Sequence, residues 1–302
     1  MDVEHKLAAL GPEKTPDFCV RIDFQKGMRN PQRLLKSAAA YIDALNSLDS
    51  LLVSSIDAKI KPVFVLEEIE HGSIKLWLKQ ALEAIDDDAL KNIDWRPAVG
   101  KYLVKAKYFL LKRLEGKTAI TNREEMEALT REIFDAAQAT GVRKFPAYRD
   151  VSAFALAQEA KKISEALSGL EKGDSITFQA DVGDSVLTPD FIITQEDITN
   201  LFAGEVISND LTKILMVRRP DFLGDSKWEF RYERRPFSAT IIDEGWLSDF
   251  HSGKIDIRPG DALRVMIRET VLYDNNGEVI KEEREILSVL GITKPAIQSS
   301  LL

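Results

Sequence analysis

One short segment contains the residue types of a metal-dependent nuclease. It is RRPDFLGDSKW, residues 218–228, which ends in Asp225, Lys227 and a tryptophan. Divalent cations prefer hard oxygen ligands, and a lysine can stabilise the negative charge that grows on an attacked phosphate. A nuclease hypothesis therefore assigns Asp225, together with Asp190 or Asp221, as a metal ligand and Lys227 as the stabilising cation.

The spacing of these carboxylates favours a turn. Asp221 and Asp225 are only four residues apart and share their segment with Pro220 and Gly224, so they cannot lie on neighbouring strands. Asp190 belongs to LTPDFIIT, which precedes a predicted helix start. We therefore expect DFLGDS to link two antiparallel strands. No catalytic residue is assigned, and the nuclease is kept as an alternative function.

Two basic clusters suggest nucleic-acid binding as a second alternative. Lys101, Lys105 and Lys112 fall on one side of a predicted helix, and Arg218 and Arg219 precede a proline. A simpler explanation exists for each cluster. The lysine stems would reach solvent from a packed helix, and the arginines would lie at a solvated strand end. The net charge of −8, from 41 Lys and Arg against 49 Asp and Glu, opposes nonspecific binding to a phosphate backbone.

The sequence predicts neither a metal nor a cofactor. Its three histidines, His5, His71 and His251, are widely separated, and the single Cys19 lies in the apolar run FCVRIDF. No zinc-site spacing, phosphate-binding loop or dinucleotide fingerprint is present. A lone cysteine in an apolar run indicates a buried thiol and a reducing compartment.

The hydropathy pattern predicts a soluble cytoplasmic protein that does not bind a membrane. The first residues, MDVEHKLAALG, lack the basic start and apolar core of a secretory signal. Nowhere do about 18 uncharged apolar residues follow one another, which is the length that a membrane-spanning helix needs.

The N-terminal region, 1–118, predicts a strand, a helix and two strands, followed by helices. FCVRIDF alternates like a strand, and Asn30 with Pro31 is a typical helix start before apolar residues at steps of three and four. Two strand-like segments then flank His71 and Gly72, which suggests a hairpin. A small sheet with a long helix across one face follows from this order.

Helices are predicted through 119–172, and a β-rich region from 173 to 302. Asn122 and Glu125 resemble a capping box at the start of one of these helices. After Gly173 come six strand-like runs: SITFQA, LTKILMV, KWEFRYE, FSATII, DALRVMIRETVLY and EVIKEEREILSVL. The fold class is therefore α+β, with a C-terminal antiparallel β domain that is barrel-like or sandwich-like.

Two segments resemble uncharacterised bacterial two-domain proteins of mobile and defence islands. They are IEHGSIKLWL and FSATIIDEGWLSDFHSGKIDIRPGDALRV, and neither contains a catalytic signature. The resemblance implies a role in anti-phage defence through protein contacts.

With no coherent constellation of catalytic groups, the leading hypothesis is a non-enzymatic interaction or assembly component. Such a protein would bind another subunit or itself in a multi-protein or homo-oligomeric bacterial system. Two contact surfaces are predicted: exposed strand edges of the C-terminal domain, and the helix face formed by Met126, Leu129 and Ile133.

Overall fold

A computed structural model describes residues 17–24, 30–57, 59–70, 74–84, 95–222, 226–258 and 260–294. The chain divides into two compact units, Met1–Leu201 and Phe202–Leu302. Each contains an antiparallel-rich sheet, and the first also contains long helices, which confirms the α+β class.

The first unit is built on a five-stranded sheet. Its strands are β1 (Phe18–Asp23), β2 (Ile60–Glu70), β3 (Ile74–Ala84), β4 (Ser175–Ala180) and β5 (Gly183–Leu187). Their order across the sheet is β2-β3-β1-β4-β5, with antiparallel neighbours throughout. β1 is central and almost wholly buried, which explains the apolar run around Cys19. The predicted pairing of β2 with β3 is confirmed, and the turn at 71–73 lies outside the described residues.

The described residues of this unit also form four long α-helices, one short α-helix and a 3-10 turn at Val142–Lys144. The α-helices are α1 (Gln32–Ser54), α2 (Arg96–Leu114), α3 (Arg123–Ala139), α4 (Ala153–Leu167) and α5 (Gln195–Phe202). The α3 start is confirmed, because the Asn122 side chain accepts the Glu125 N–H at 2.9 Å. Met126, Leu129 and Ile133 of α3 are buried in the core. This helix face is therefore not the exposed contact surface that the sequence suggested.

The second unit is a closed five-stranded barrel. Its strands are β6 (Val206–Arg219), β7 (Trp228–Tyr232), β8 (Arg235–Ile241), β9 (Ala262–Tyr273) and β10 (Val279–Thr293), with helix α6 (Glu244–His251) between β8 and β9. The order is β10-β8-β7-β6-β9, and β9 closes the barrel by pairing with β10. β8 and β10 run parallel, and the other neighbours run antiparallel. Inward side chains such as Leu215, Trp228 and Leu263 form the core.

The units meet in sequence at residues 201 and 202, whereas the change of composition lies near residue 173. The difference arises because SITFQA forms β4, which pairs with β1 in the first sheet: Phe178 lies opposite Val20. A strand pattern shows that a segment is extended but does not show which strand it joins. The short strand β5, GDSVL, has no such pattern in the sequence.

Candidate interaction surface

The residues of the nuclease hypothesis lie in different parts of the chain. Asp190 is exposed in the first unit, in a turn before α5, where it accepts the Thr188 hydroxyl at 3.4 Å. Lys227 is exposed just before β7 in the second unit, and Asp225 lies outside the described residues. Within the described ranges, no group of three or more His, Cys, Asp or Glu residues could hold a metal ion. The nuclease hypothesis stays a prediction.

Asp221 stabilises the linker between β6 and β7. Its carboxylate accepts the Ser226 N–H at 3.0 Å and the Ser226 hydroxyl at 2.5 Å. Both bonds span only five residues, so the side chain joins the two ends of the segment DFLGDS. This is the role of a turn residue, because a short carboxylate that binds nearby backbone N–H groups fixes a local chain reversal.

Two of the basic candidates line an open cleft at one end of the first sheet. Lys101 and Lys105 of α2 lie there with Asp17 and Asp181, around a volume of about 720 Å³. Burial raises the pKa of Asp17, although a backbone hydrogen bond and nearby lysines oppose the shift. Phosphate backbones bind where cations cluster without competing carboxylates. This mixed lining does not favour a nucleic acid.

The other basic candidates are exposed, and two of them are paired with glutamates. Lys112 contacts Glu115 at 2.5 Å, and Arg219 contacts Glu229 at 3.5 Å. Arg218 is exposed near the end of β6. Lys112 belongs to the first unit but does not line the cleft, and Arg218 and Arg219 belong to the second unit.

The outer face of β7 and β8 gives a further check on nucleic-acid binding. Five-stranded Greek-key barrels of the OB type bind oligonucleotides through this face, where bases stack on aromatic side chains. Here the outward pairs are Glu229 with Ser238 and Arg231 with Pro236. The aromatic residues of both strands alternate with these and point inward. Nucleic-acid binding therefore stays a prediction without structural support at this face.

A buried ion pair in the first unit was missed by the sequence reading. Lys107 of α2 and Asp49 of α1 are fully buried, with the Lys107 Nζ 2.6 Å from Asp49 Oδ1 and 2.7 Å from Oδ2. Gln80 of β3 accepts from the same Nζ at 3.2 Å and donates to Asp49 at 2.7 Å.

Burial raises the pKa of Asp49 to about 6 and lowers the pKa of Lys107, while the attraction between the two charges opposes both shifts. Both side chains are closed to solvent. The group therefore joins α1, α2 and β3 within the core and offers no site for a substrate. A signal for it exists in the sequence, because Lys107 stands at helical spacing from Leu103, Leu110, Leu111 and Leu114.

The strongest surface feature is one edge of β6. β9 pairs with β6 from Val206 to Met216 without a shift of register. On the opposite side, β7 pairs with β6 only from Met216 to Arg219. In the described part of the chain, no strand covers that side between Val206 and Leu215. We call the segment from Val206 to Ile214 the β6 edge.

The hydrogen bonds to β9 show which backbone groups of the β6 edge point outward. At one end the Tyr273 N–H donates to the Glu205 carbonyl at 2.8 Å, and at the other the Val217 N–H donates to the Asp261 carbonyl at 3.0 Å. Odd-numbered residues of β6 therefore bond to β9. Antiparallel ladders alternate strictly, so Ser208, Asp210 and Thr212 direct their N–H and C=O groups outward.

Side chains of the β6 edge are exposed, and several are apolar. Val206, Ile207, Leu211 and Ile214 expose between 41% and 60% of their surface. Asp210 is held by Arg268 of β9 through bonds of 2.7 and 2.8 Å, which lower the pKa of this carboxyl and keep it charged. The edge thus combines unpaired backbone groups with β-branched and aliphatic side chains, which suit a pairing strand.

The other long sheet edges carry more protection against strand pairing than the β6 edge, whose charges Asp210 and Lys213 are already held in ion pairs. No strand of the described ranges pairs with the other side of β10 from Val279 to Arg284, where the sequence is VIKEER and the register to β9 shifts. The edge of β2 has Pro62, two adjacent glutamates and a register shift after Leu66. Charges, prolines and bulges are the means by which proteins prevent unwanted strand pairing. The β6 edge has an unshifted register and no proline.

Comparison with protein-family models, curated protein sequences and solved structures finds no match for this chain. No helix in the described ranges is long and apolar enough to cross a membrane. The candidate surface therefore rests on geometry alone, and the resemblance to defence-island proteins stays a prediction.

Proposed function

We propose that this chain is a non-enzymatic interaction or assembly component that binds a protein partner by strand addition at the β6 edge. The single observation that supports the proposal is the long edge from Val206 to Ile214, with which no described strand pairs on the side away from β9. In strand addition, an extended segment pairs with outward backbone groups, and alternate side chains give specificity.

The physical gain comes from two sources. Each hydrogen bond between backbone groups adds only about 0.5–1.5 kcal/mol net, because both groups give up hydrogen bonds to water when they pair. Burial of apolar area adds about 25 cal/mol per Å², and the exposed side chains of Val206, Ile207 and Leu211 provide such area. Together these terms favour an extended partner over a small ligand.

The proposal includes a setting. We propose that the chain acts in a cytoplasmic multi-protein or homo-oligomeric system of anti-phage type. Two segments that resemble parts of bacterial defence-island proteins support this: IEHGSIKLWL and FSATIIDEGWLSDFHSGKIDIRPGDALRV. The second segment includes most of β8, all of α6 and the start of β9. It therefore belongs to the same barrel as the β6 edge.

The test blocks the edge with proline. Thr212 directs its amide outward, so Thr212→Pro removes a donor from the edge without breaking the ladder to β9. A matched control is Glu282→Pro on β10, whose amide also points away from β9. The direction follows from Ile286, four residues further along in the same register, whose carbonyl faces away from β9 and accepts from the Ile242 N–H at 2.9 Å. Circular dichroism and thermal melting of both variants show whether each has folded.

We expect the tagged full-length chain, isolated from its native cells, to carry a partner, which mass spectrometry identifies as the untagged chain or as another protein. Thr212→Pro should lose this partner and Glu282→Pro should retain it. A wild-type chain that is monomeric and carries no partner would contradict the proposal, as would equal retention by both variants.

A further inference from the structure

We infer that the partner at the β6 edge is the β6 edge of a second copy, paired antiparallel about a two-fold axis at Asn209. This inference rests on the proposed function, because it names the occupant of the same edge. Identical subunits associate most often through such two-fold, self-complementary contacts. The inference follows from which residues of β6 direct their backbone groups outward, and from the order of its side chains.

The alternation of backbone groups along β6 limits the possible registers of the pair. Outward N–H and C=O groups belong to even-numbered residues, so in a pair of β6 edges an even residue must lie opposite an even one. A two-fold axis then passes through a single residue of each copy. The registers that keep most of the edge paired are centred on Ser208, Asn209, Asp210 or Leu211.

The register centred on Asn209 matches side chains by chemical type. It gives the following opposite pairs between the two copies: Ile207 with Leu211, Val206 with Thr212, Ser208 with Asp210, Glu205 with Lys213 and Asn209 with itself. Aliphatic and β-branched residues thus meet one another, and opposite charges meet at both ends. Matched pairs directly across a sheet are the unit of its stability.

The neighbouring registers create conflicts. Centring on Asp210 places this carboxylate opposite itself and Ile207 opposite Lys213. Centring on Ser208 places Val206 opposite Asp210. Centring on Leu211 loses the end pair of Val206 with Met216, where β7 already occupies the edge, and places Lys213 opposite Asn209, which offers it no opposite charge. Like charges directly opposite one another and apolar–charged pairs destabilise a sheet, so the Asn209 register is favoured.

The product would be one continuous sheet with the strand order β10-β9-β6-β6-β9-β10. Both β6 edges would be covered, and the sheet would end at the β10 strands, whose outer edges carry the charged sequence KEER and a register shift. Because the contact is two-fold, it closes after two copies and does not extend into a fibre. Lys213 already contacts Glu269 at 2.8 Å, and Glu205 of the second copy would add a second carboxylate beside it.

Single cysteines can identify the register. In the pair centred on Asn209, odd-numbered residues form the pairs without hydrogen bonds, whose Cα atoms lie about 4.5 Å apart, within disulfide range. Asn209→Cys should therefore give a covalent dimer under mild oxidation. Ile207→Cys alone should not, because each copy of position 207 lies about 13 Å along the strand from the other at 3.3 Å per residue.

The controls separate registers and background. Leu211→Cys alone should remain monomeric on a denaturing gel, whereas Ile207→Cys combined with Leu211→Cys should form the dimer, since these positions face each other. Wild type reports the background from Cys19, which is buried. Efficient cross-linking of either single variant at 207 or 211, with none at 209, would overturn the register.

Analytical ultracentrifugation tests the association itself. We expect wild type and Glu282→Pro to sediment as dimers and Thr212→Pro to sediment as a monomer. A monomeric wild type overturns self-pairing; if Thr212→Pro then still removes a different co-isolated protein, the proposed function stands without it. If the proline changes neither oligomeric state nor any co-isolated partner, both proposals are wrong.

Discussion

Replacing Lys107 by methionine would test the buried ion pair of the first unit. The substitution keeps a long side chain but removes the ammonium group, which makes bonds of 2.6 and 2.7 Å to the Asp49 carboxylate. In the described structure, the Gln80 amide, at 2.7 Å, would remain as a hydrogen-bond donor to Asp49. Breaking a buried pair by removing one partner destabilises a protein by about 3–5 kcal/mol.

The pH dependence gives the sharper magnitude. In the wild type, Asp49 has its pKa raised from 3.8 to about 6, so the stability linked to its protonated form is complete below pH 3.8 and is lost as the pH rises through 6. Without Lys107 the pKa rises further, and the loss continues above pH 6 at about 1.4 kcal/mol per unit. The stability difference between variant and wild type should therefore grow by about 2–3 kcal/mol from pH 6 to pH 8.

The single Cys19 provides a probe for this unit alone, because it is buried in β1. A urea titration with a short pulse of dithiodipyridine, which reacts with thiols at both pH values, would report unfolding of the first unit. Asp49→Asn combined with Lys107→Met removes both charges, and should recover most of the stability and abolish the extra pH dependence. An equal stability difference at pH 6 and pH 8, or a double variant as unstable as the single one, would refute the reasoning.

Three further substitutions test local structure. Asp243→Ala should lower the free energy of unfolding by about 1–2 kcal/mol, because Asp243 caps α6 and also accepts the Val289 N–H at 3.0 Å; a urea titration followed by tryptophan fluorescence measures this, and an unchanged midpoint would count against it. Gly183→Ala should lower the melting temperature, since a Cβ there would lie 2.9 Å from the Tyr108 hydroxyl at a φ of +134°. Gly100→Ala in α2 meets nothing within 4 Å and should instead stabilise by about 0.5–1 kcal/mol, so a melting temperature that moves equally in both variants would contradict the geometry.

Local patterns in the sequence predicted most helices and strands because each element has one buried face. The alternation of β7, KWEFRYE, reflects Trp228 and Phe230 pointing into the barrel. The capping of α3 by Asn122 is equally local. Partner choice is not local, which is why SITFQA was grouped with the later strands although it pairs with β1.

Lys107 shows how a local pattern can be misread. It belongs to the densest run of basic residues, and such a run usually indicates a solvated helix face. Its spacing from Leu103 and Leu111 places it on the buried side of α2, where a buried cation is tolerable because Asp49, from a distant segment, pairs with it. The sequence pattern therefore predicts that Lys107 is buried, but it does not identify the carboxylate that pairs with it.

The β6 edge was predicted only in general terms, as an exposed strand edge of the C-terminal domain. The strand-like run LTKILMV starts at Leu211, whereas β6 starts at Val206. The missing part, VISND, has no alternation of burial because the ribbon that it forms with β9 is exposed over these residues. Sequence periodicity detects a strand through its buried face, so an exposed ribbon gives no such signal.

Protection of an edge is likewise invisible until the neighbours of a strand are known. The charges in VIKEER look like an ordinary solvated strand face. They also protect a free edge, because β8 pairs with β10 only from Glu285 onward. By the same logic, VISNDLTK looks unremarkable until β7 is seen to begin pairing at Met216. The two edges belong to one ribbon and differ in charge, register and apolar exposure. The β6 edge has charges at Asp210 and Lys213, but each is already held by an ion pair to β9, and the edge lacks the register shift and the run of four charges found on β10. Because charges and bulges prevent strand pairing, this asymmetry is what makes the β6 edge a binding surface in our proposal.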